Sequence, residues 1–165
     1  DAANIDAISN LAMAYDLDGQ NDKAILTYET ALAKNPEDQD LLFNLARLNY
    51  LNKDYDKAIA MFQKVISLNP EDYDANLNVG NAYLTMADDL RKSLVEKENV
   101  KQTVSEEDVN KLKEFYRAAI PFLEKAISIK PENSAVYYNL GVAYVNVGEA
   151  TKGAEFFNKA EEMRK

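Results

Sequence analysis

The feature that most limits what this chain can fold into is a period. Residues 39–70 read as two amphipathic helices joined by a short polar turn, Asn52-Lys53-Asp54, and closed by Pro70. Leu42, Leu45, Ala46 and Leu48 form the apolar stripe of the first helix at helical spacing; Ala58, Ile59, Phe62, Val65 and Ile66 form that of the second. Two helices this short cannot enclose a core alone, and the chain supplies further copies. Leu11-Ala12, Leu45-Ala46, Val79-Gly80 and Leu140-Gly141 are the same apolar-small pair. Ala24, Ala58, Ala119 and Gly153 are the same small residue on the second helix, followed four places later by Tyr28, Phe62, Leu123 and Phe157. Pro36, Pro70 and Pro131 close three units, and Pro36 to Pro70 is 34 residues, the length of one helix-turn-helix repeat.

This pattern resembles the tetratricopeptide repeat family. Leu11, Ala12, Tyr15, Ala24, Tyr28, Ala31 and Pro36 carry the likeness in the first unit, and Leu140, Gly141, Tyr144, Gly153, Phe157 and Ala160 carry it in the last. The resemblance implies an all-α, right-handed solenoid of about eight helices. Its units fall at about 5–38, 39–72, 73–133 and 134–165. Asn49 stands where the pattern wants a Tyr. Gly153 replaces a helix-favouring Ala, which costs about 1 kcal/mol in a helix interior. Asn4, Asp38, Asp72 and Asn133 stand where each first helix needs an N-cap.

The third unit departs from the period. Pro70 to Pro131 is 61 residues, 27 more than one repeat. Tyr83, Met86, Ala87, Leu90 and Leu94 prolong the first apolar stripe, and Val109, Leu112, Phe115, Tyr116 and Ala119 return with the same spacing. The insert, about 88–116, reads as a protruding antiparallel hairpin made by lengthening both helices by roughly three to four turns. Thr103-x-x-Glu106 matches a capping box, with Ser105-x-x-Asp108 the weaker alternative. Pro121 is expected to kink the second long helix.

Composition excludes most chemistries. With no Cys and no His among 165 residues, there are no thiol nucleophiles, imidazole bases or common transition-metal ligands, and no loop alternates Asp ligands with Gly. No cofactor or metal is expected, nor an enzyme: the five glycines are scattered, and acid neighbours such as Glu106 and Glu107 do not face one another. A net charge of −9 argues against nucleic acid and an anionic membrane surface. No apolar run approaches the ~20 residues of a membrane span. The opening at Asp1, without Met or a signal-like segment, reads as part of a longer protein, with any targeting segment elsewhere.

The informative residues lie on the first helices, which line the inner wall in a stack of such hairpins. Asn10, Asn44, Asn78 and Asn139 occupy one equivalent place in all four units. Asn carries an amide donor and an acceptor, matching the N–H and C=O of an extended peptide. The ladder resembles the asparagines of O-GlcNAc transferase that hold peptide main chain; the alternative is that these amides are solvated or bonded to neighbouring helices. Asp6, Asp40 and Asp74 either make the groove acidic or favour the helix dipole. The same wall is expected to carry Phe43, Arg47, Tyr50 and Leu51; Leu77, Asn81 and Leu84; and Tyr138, Val142 and Val145. Phe43, Leu77 and Tyr138, in equivalent places, either anchor a ligand's side chains or pack against neighbours. Ser9, Met13, Asn44, Asp74 and Asn78 stand where some family members hold acidic chaperone tails with Lys, Arg and Asn. The basic members are missing, which argues against that ligand.

The expected function is protein–protein interaction, with an extended peptide or partner helix in the concave groove. One rival is self-association through the hairpin or the last helix, whose Phe156, Phe157 and Met163 precede no polar capping helix. Another is an accessory role in a larger enzyme.

Overall fold

The computed structural model describes residues 2–164. Eight α-helices and no strands occur among them: α1 (Ala2–Leu17), α2 (Asn21–Leu32), α3 (Gln39–Leu51), α4 (Tyr55–Leu68), α5 (Tyr73–Asn99), α6 (Glu106–Ile129), α7 (Ser134–Val147) and α8 (Ala150–Glu162). They divide into two compact units, one ending at Ala75 and the other beginning at Asn76. No described helix is long and apolar enough to cross a membrane.

Three of the four expected caps start a helix. Asp38 accepts from the Leu41 N–H at 3.1 Å, Asp72 from Ala75 at 2.8 Å and Asn133 from Ala135 at 3.1 Å, each filling a donor the helix leaves open. Asn4 is the exception. It lies inside α1, and its side chain accepts from Lys34 Nζ at 3.1 Å, tying α1 to the end of α2.

In the first unit the core forms where α3 lies on α1 and α2. Ala12 and Ala24 are fully buried between α1 and α2, where their small size lets the helices approach. Leu41, Leu45 and Leu48 recur at helical spacing on one face of α3 and are 3%, 1% and 0% exposed, packed in one cluster with Tyr28 and Ala31 of α2. Each buried leucine contributes about 1.5–3 kcal/mol. Asn49, the residue that broke the pattern, is buried. Its Nδ2 donates to Leu45 O at 2.8 Å, bonding back to its own helix instead of reaching outward as the usual Tyr would.

In the second unit, glycines do the work of the alanines. A Cβ on Gly141 would stand 2.6 Å from the Phe157 ring, and one on Gly153 would stand 2.5 Å from Val145 Cγ2 and 2.9 Å from Gly141 O. Gly153 is therefore required by the close approach of α7 and α8, and its propensity cost is offset by that packing. Gly148, at φ +99°, ends α7 in the left-handed conformation that glycine adopts without strain.

The insert is helical as expected: α5 has 27 residues and α6 has 24, against 13 and 14 for α3 and α4. Its cap is corrected. Ser105 accepts from the Asp108 N–H at 3.1 Å and the Asp108 carboxylate accepts from the Ser105 N–H at 3.4 Å, so Ser105-x-x-Asp108 is the capping box and Thr103 lies in the turn before it. Helix α6 continues through Pro121. The tip is held by Lys97 of α5, whose ammonium lies 3.0 Å from Asp108. Nearer the base, Tyr116, Ala87 and Ala143 share a buried cluster flanked by Leu112, Phe115 and Val147, so α6 beyond the ordinary repeat length is packed against α7.

Candidate functional site

The asparagines of the ladder fall into two kinds. Asn10 on α1 is exposed and Asn44 on α3 is half-buried. Among the described residues neither side chain has a hydrogen-bond partner. Asn78 on α5 and Asn139 on α7 are half-buried, and Asn139 Nδ2 donates to Asn81 Oδ1 at 3.1 Å. Two expected site residues thus spend hydrogen-bonding capacity on each other across α5 and α7. A carboxamide keeps other donor and acceptor positions after one such bond.

Arg47 is not free to meet a ligand. Its guanidinium is ion-paired with Asp16 near the end of α1. The pair sits beside the Tyr28 phenol, whose pKa is raised, first by burial and then by Asp16, with Arg47 opposing.

The apolar row also turns inward. Phe43 meets Phe62 edge-on with ring centroids 5.2 Å apart, and Tyr138 meets Phe157 at the same 5.2 Å. These are equivalent pairs in the second and fourth hairpins, so the row serves packing within each hairpin. Tyr50 meets Tyr55 at 5.5 Å across the α3–α4 turn. Leu77 is half-buried, and Leu84 and Val142 pack on the Ala87–Tyr116–Ala143 cluster. Leu51, Tyr138 and Val145 keep 56%, 48% and 44% of their surface exposed. Of the acids, Asp40 and Asp74 occupy first helical turns, where the dipole favours them. Asp6 is beyond the first turn of α1 because that helix starts at Ala2.

One cluster has no signature in the sequence. The Tyr144 hydroxyl donates to Glu124, and Lys152 Nζ lies 2.6 Å from the same oxygen, 4.0 Å from the ring centroid and 3.5 Å from Glu124. Tyr144 also stacks on Phe156 at 5.4 Å. Burial, then the Glu124 bond, raises the Tyr144 pKa, while the Tyr144 bond raises that of Lys152. The three residues come from three helices, α6, α7 and α8, so only folding brings them together. The arrangement braces α6–α8.

Profiles described as tetratricopeptide repeat match residues 10–73 and 52–90, and again residues 122–154. The chain belongs to the tetratricopeptide repeat family. Its fold class is accordingly the right-handed α-solenoid of antiparallel helix-turn-helix repeats. Among solved structures, the crystal structure of MamA aligns at 24% identity and TM-score 0.70, covering 99% of this chain and 80% of that one. A MamA structure from AMB-1 gives 20% identity and TM-score 0.75, with 99% and 76% covered. TTC0263, a thermophilic tetratricopeptide protein of Thermus thermophilus, gives 19% and 0.63, with 96% and 74% covered. At these identities the likeness speaks for the fold alone. No curated protein matches the chain. Membership makes this tetratricopeptide chain a protein-interaction scaffold in general terms, and its family profiles flank the long α5–α6 hairpin.

Proposed function

We propose that the four hairpins act as one protein-interaction domain and that an extended peptide lies along the first helices, its main chain held by the asparagine ladder. The observation that carries this reading is the state of Asn10 and Asn44: equivalent side chains on successive first helices, accessible and unpaired among the described residues. Each offers the donor and acceptor that a peptide bond requires, so recognition is of backbone and tolerates many sequences. Asn78 and Asn139 continue the ladder, with Asn139 steadied by Asn81. Phe43, Leu77 and Tyr138 set the wall beside it, Tyr50 flanks it, and Arg47 holds its shape through Asp16. The net charge of −9 favours a neutral or basic peptide. No catalytic step is assigned to these residues.

The test begins with peptides selected from a displayed library of unstructured sequences by binding to the whole chain. Asn10→Ala with Asn44→Ala removes two backbone contacts of about 0.5–1.5 kcal/mol each, which weakens binding by roughly five- to a hundredfold. Far-UV circular dichroism should be unchanged. Peptides that bind the doubly substituted chain as tightly as the parent would remove the ladder from recognition.

A further inference from the structure

The way α3 seats on the first hairpin describes a surface that the chain presents again, uncovered, at each of its ends. Within the first unit, α3 lays Leu41, Leu45 and Leu48 over Tyr28, Ala31 and Leu32 of α2, and Arg47 of α3 reaches Asp16 of α1. Both halves of this interface have counterparts with nothing on them.

The incoming half recurs on α1. Ala7, Leu11 and Ala14 stand 34 residues before Leu41, Leu45 and Leu48, and all three are exposed, Leu11 by 47%. Met13 takes the place of Arg47 and is 45% exposed. The receiving half recurs on α7 and α8. Phe157, Ala160 and Glu161 are the equivalents of Tyr28, Ala31 and Leu32, and with Tyr138 and Arg164 they line an open pocket of about 400 Å³. Val145 takes the place of Asp16 and is 44% exposed. The register therefore brings Met13 opposite Val145. The charged pair of the internal interface becomes an apolar pair, and two exposed apolar side chains account for each other.

We infer that a second copy of this chain docks its α1 on the α7–α8 end of the first, as α3 docks on α1 and α2. The occupant is specified by the internal precedent. The pocket takes a helix with a small-Leu-small face in the register of Ala7, Leu11 and Ala14, and this chain carries that face exposed. Such a contact is heterologous, so every complex keeps one free α1 and one free α8, and growth does not stop at two unless the rotation closes a ring. A single helix face is a small interface, below the roughly 800 Å² per partner of a stable complex, so association is weak and concentration-dependent.

Sedimentation velocity on the whole chain, from about ten micromolar to about one millimolar, should show the mean mass rising with concentration. Leu11→Glu, at an exposed position, should leave thermal unfolding of the dilute protein unchanged and weaken association at least tenfold. The decisive arm rebuilds the internal ion pair between copies. Met13→Arg alone and Val145→Asp alone each set a charge against an apolar side chain and should weaken self-association. Mixing the two singly substituted proteins should restore it as a complex that stops at two. A monomer throughout the range overturns the inference. So does association that is insensitive to Leu11→Glu and to both single charges, which would place the contact on another surface such as the long hairpin. Peptide binding through Asn10 and Asn44 is read separately and does not depend on the outcome.

Discussion

Arg47 of α3 is ion-paired with Asp16 of α1, 31 residues earlier, beside the buried phenol of Tyr28. The Asp16 side chain is only 15% exposed, so its carboxylate has lost much of its water and depends on the guanidinium. Removing Arg47 by Arg47→Met should cost about 1–2 kcal/mol of stability, more than an exposed pair and less than a fully buried one. Asp16→Asn should cost a similar amount, and the double substitution much less than the two together. Urea unfolding of the four proteins in a double-mutant cycle checks this. Additive costs would mean that the two groups act independently.

The Tyr28 hydroxyl is fully buried and has no hydrogen-bond partner among the described residues. Phe62 and Phe157 stand in the equivalent place without an oxygen. Tyr28→Phe should therefore raise stability by about 1 kcal/mol, because it deletes a desolvated, unpaired group and leaves the ring packing intact. A melting temperature higher by about 2–4 °C is the expected reading; a lower one would show that the hydroxyl is bonded.

Lys53 turns the α3–α4 hairpin at φ 65°, where the equivalent turns use Gly19 at φ 72° and Gly148 at φ 99°. A side chain in that left-handed region costs about 1–2 kcal/mol, part of which glycine gives back through its greater freedom when unfolded. Lys53→Gly should thus stabilise the chain by about 0.5–1 kcal/mol. The comparison of urea midpoints against Lys53→Ala, which keeps the strain and should not stabilise, separates backbone from charge.

Asp108 links the cap of α6 to the tip of α5. Lys97, then the Ser105 hydroxyl and backbone N–H, holds its carboxyl below the ordinary 3.8. A depressed folded pKa means that the contribution is complete above the unfolded value and disappears as pH falls through the lower folded one. The hairpin tip should therefore keep its amide protection at neutral and mildly acidic pH and lose it only below the usual carboxylate range. Carboxyl titration by NMR should place Asp108 under 3.8, and Lys97→Met should move it up. Protection lost well above that range would assign the tip's stability to other groups.

Much of this fold is written in short offsets. A helix returns to the same face every three to four residues, so the stripes of Leu42, Leu45 and Leu48, the caps at Asp38, Asp72 and Asn133, and the lengthened α5 and α6 are legible residue by residue. The ladder is legible for the same reason, because Asn10, Asn44, Asn78 and Asn139 differ by whole repeats. The true start of α6 was less so: Thr103 and Ser105 offer similar caps, and the path of the turn, tied by Lys97 to Asp108, selects Ser105. Gly153 reads as a weakness in an isolated helix and is a necessity once α7 lies against it.

The sequence by itself determined the helices, their pairing into hairpins and the repeat family, because these follow from periodicity along one chain. Only the tertiary structure decided which candidate side chains remain available. Arg47 goes to Asp16, Asn139 to Asn81 and Phe43 to Phe62, while Asn10 and Asn44 keep open amides. Those choices depend on which helix faces meet across gaps of 19 to 58 residues, and a contact between distant faces has no period to betray it.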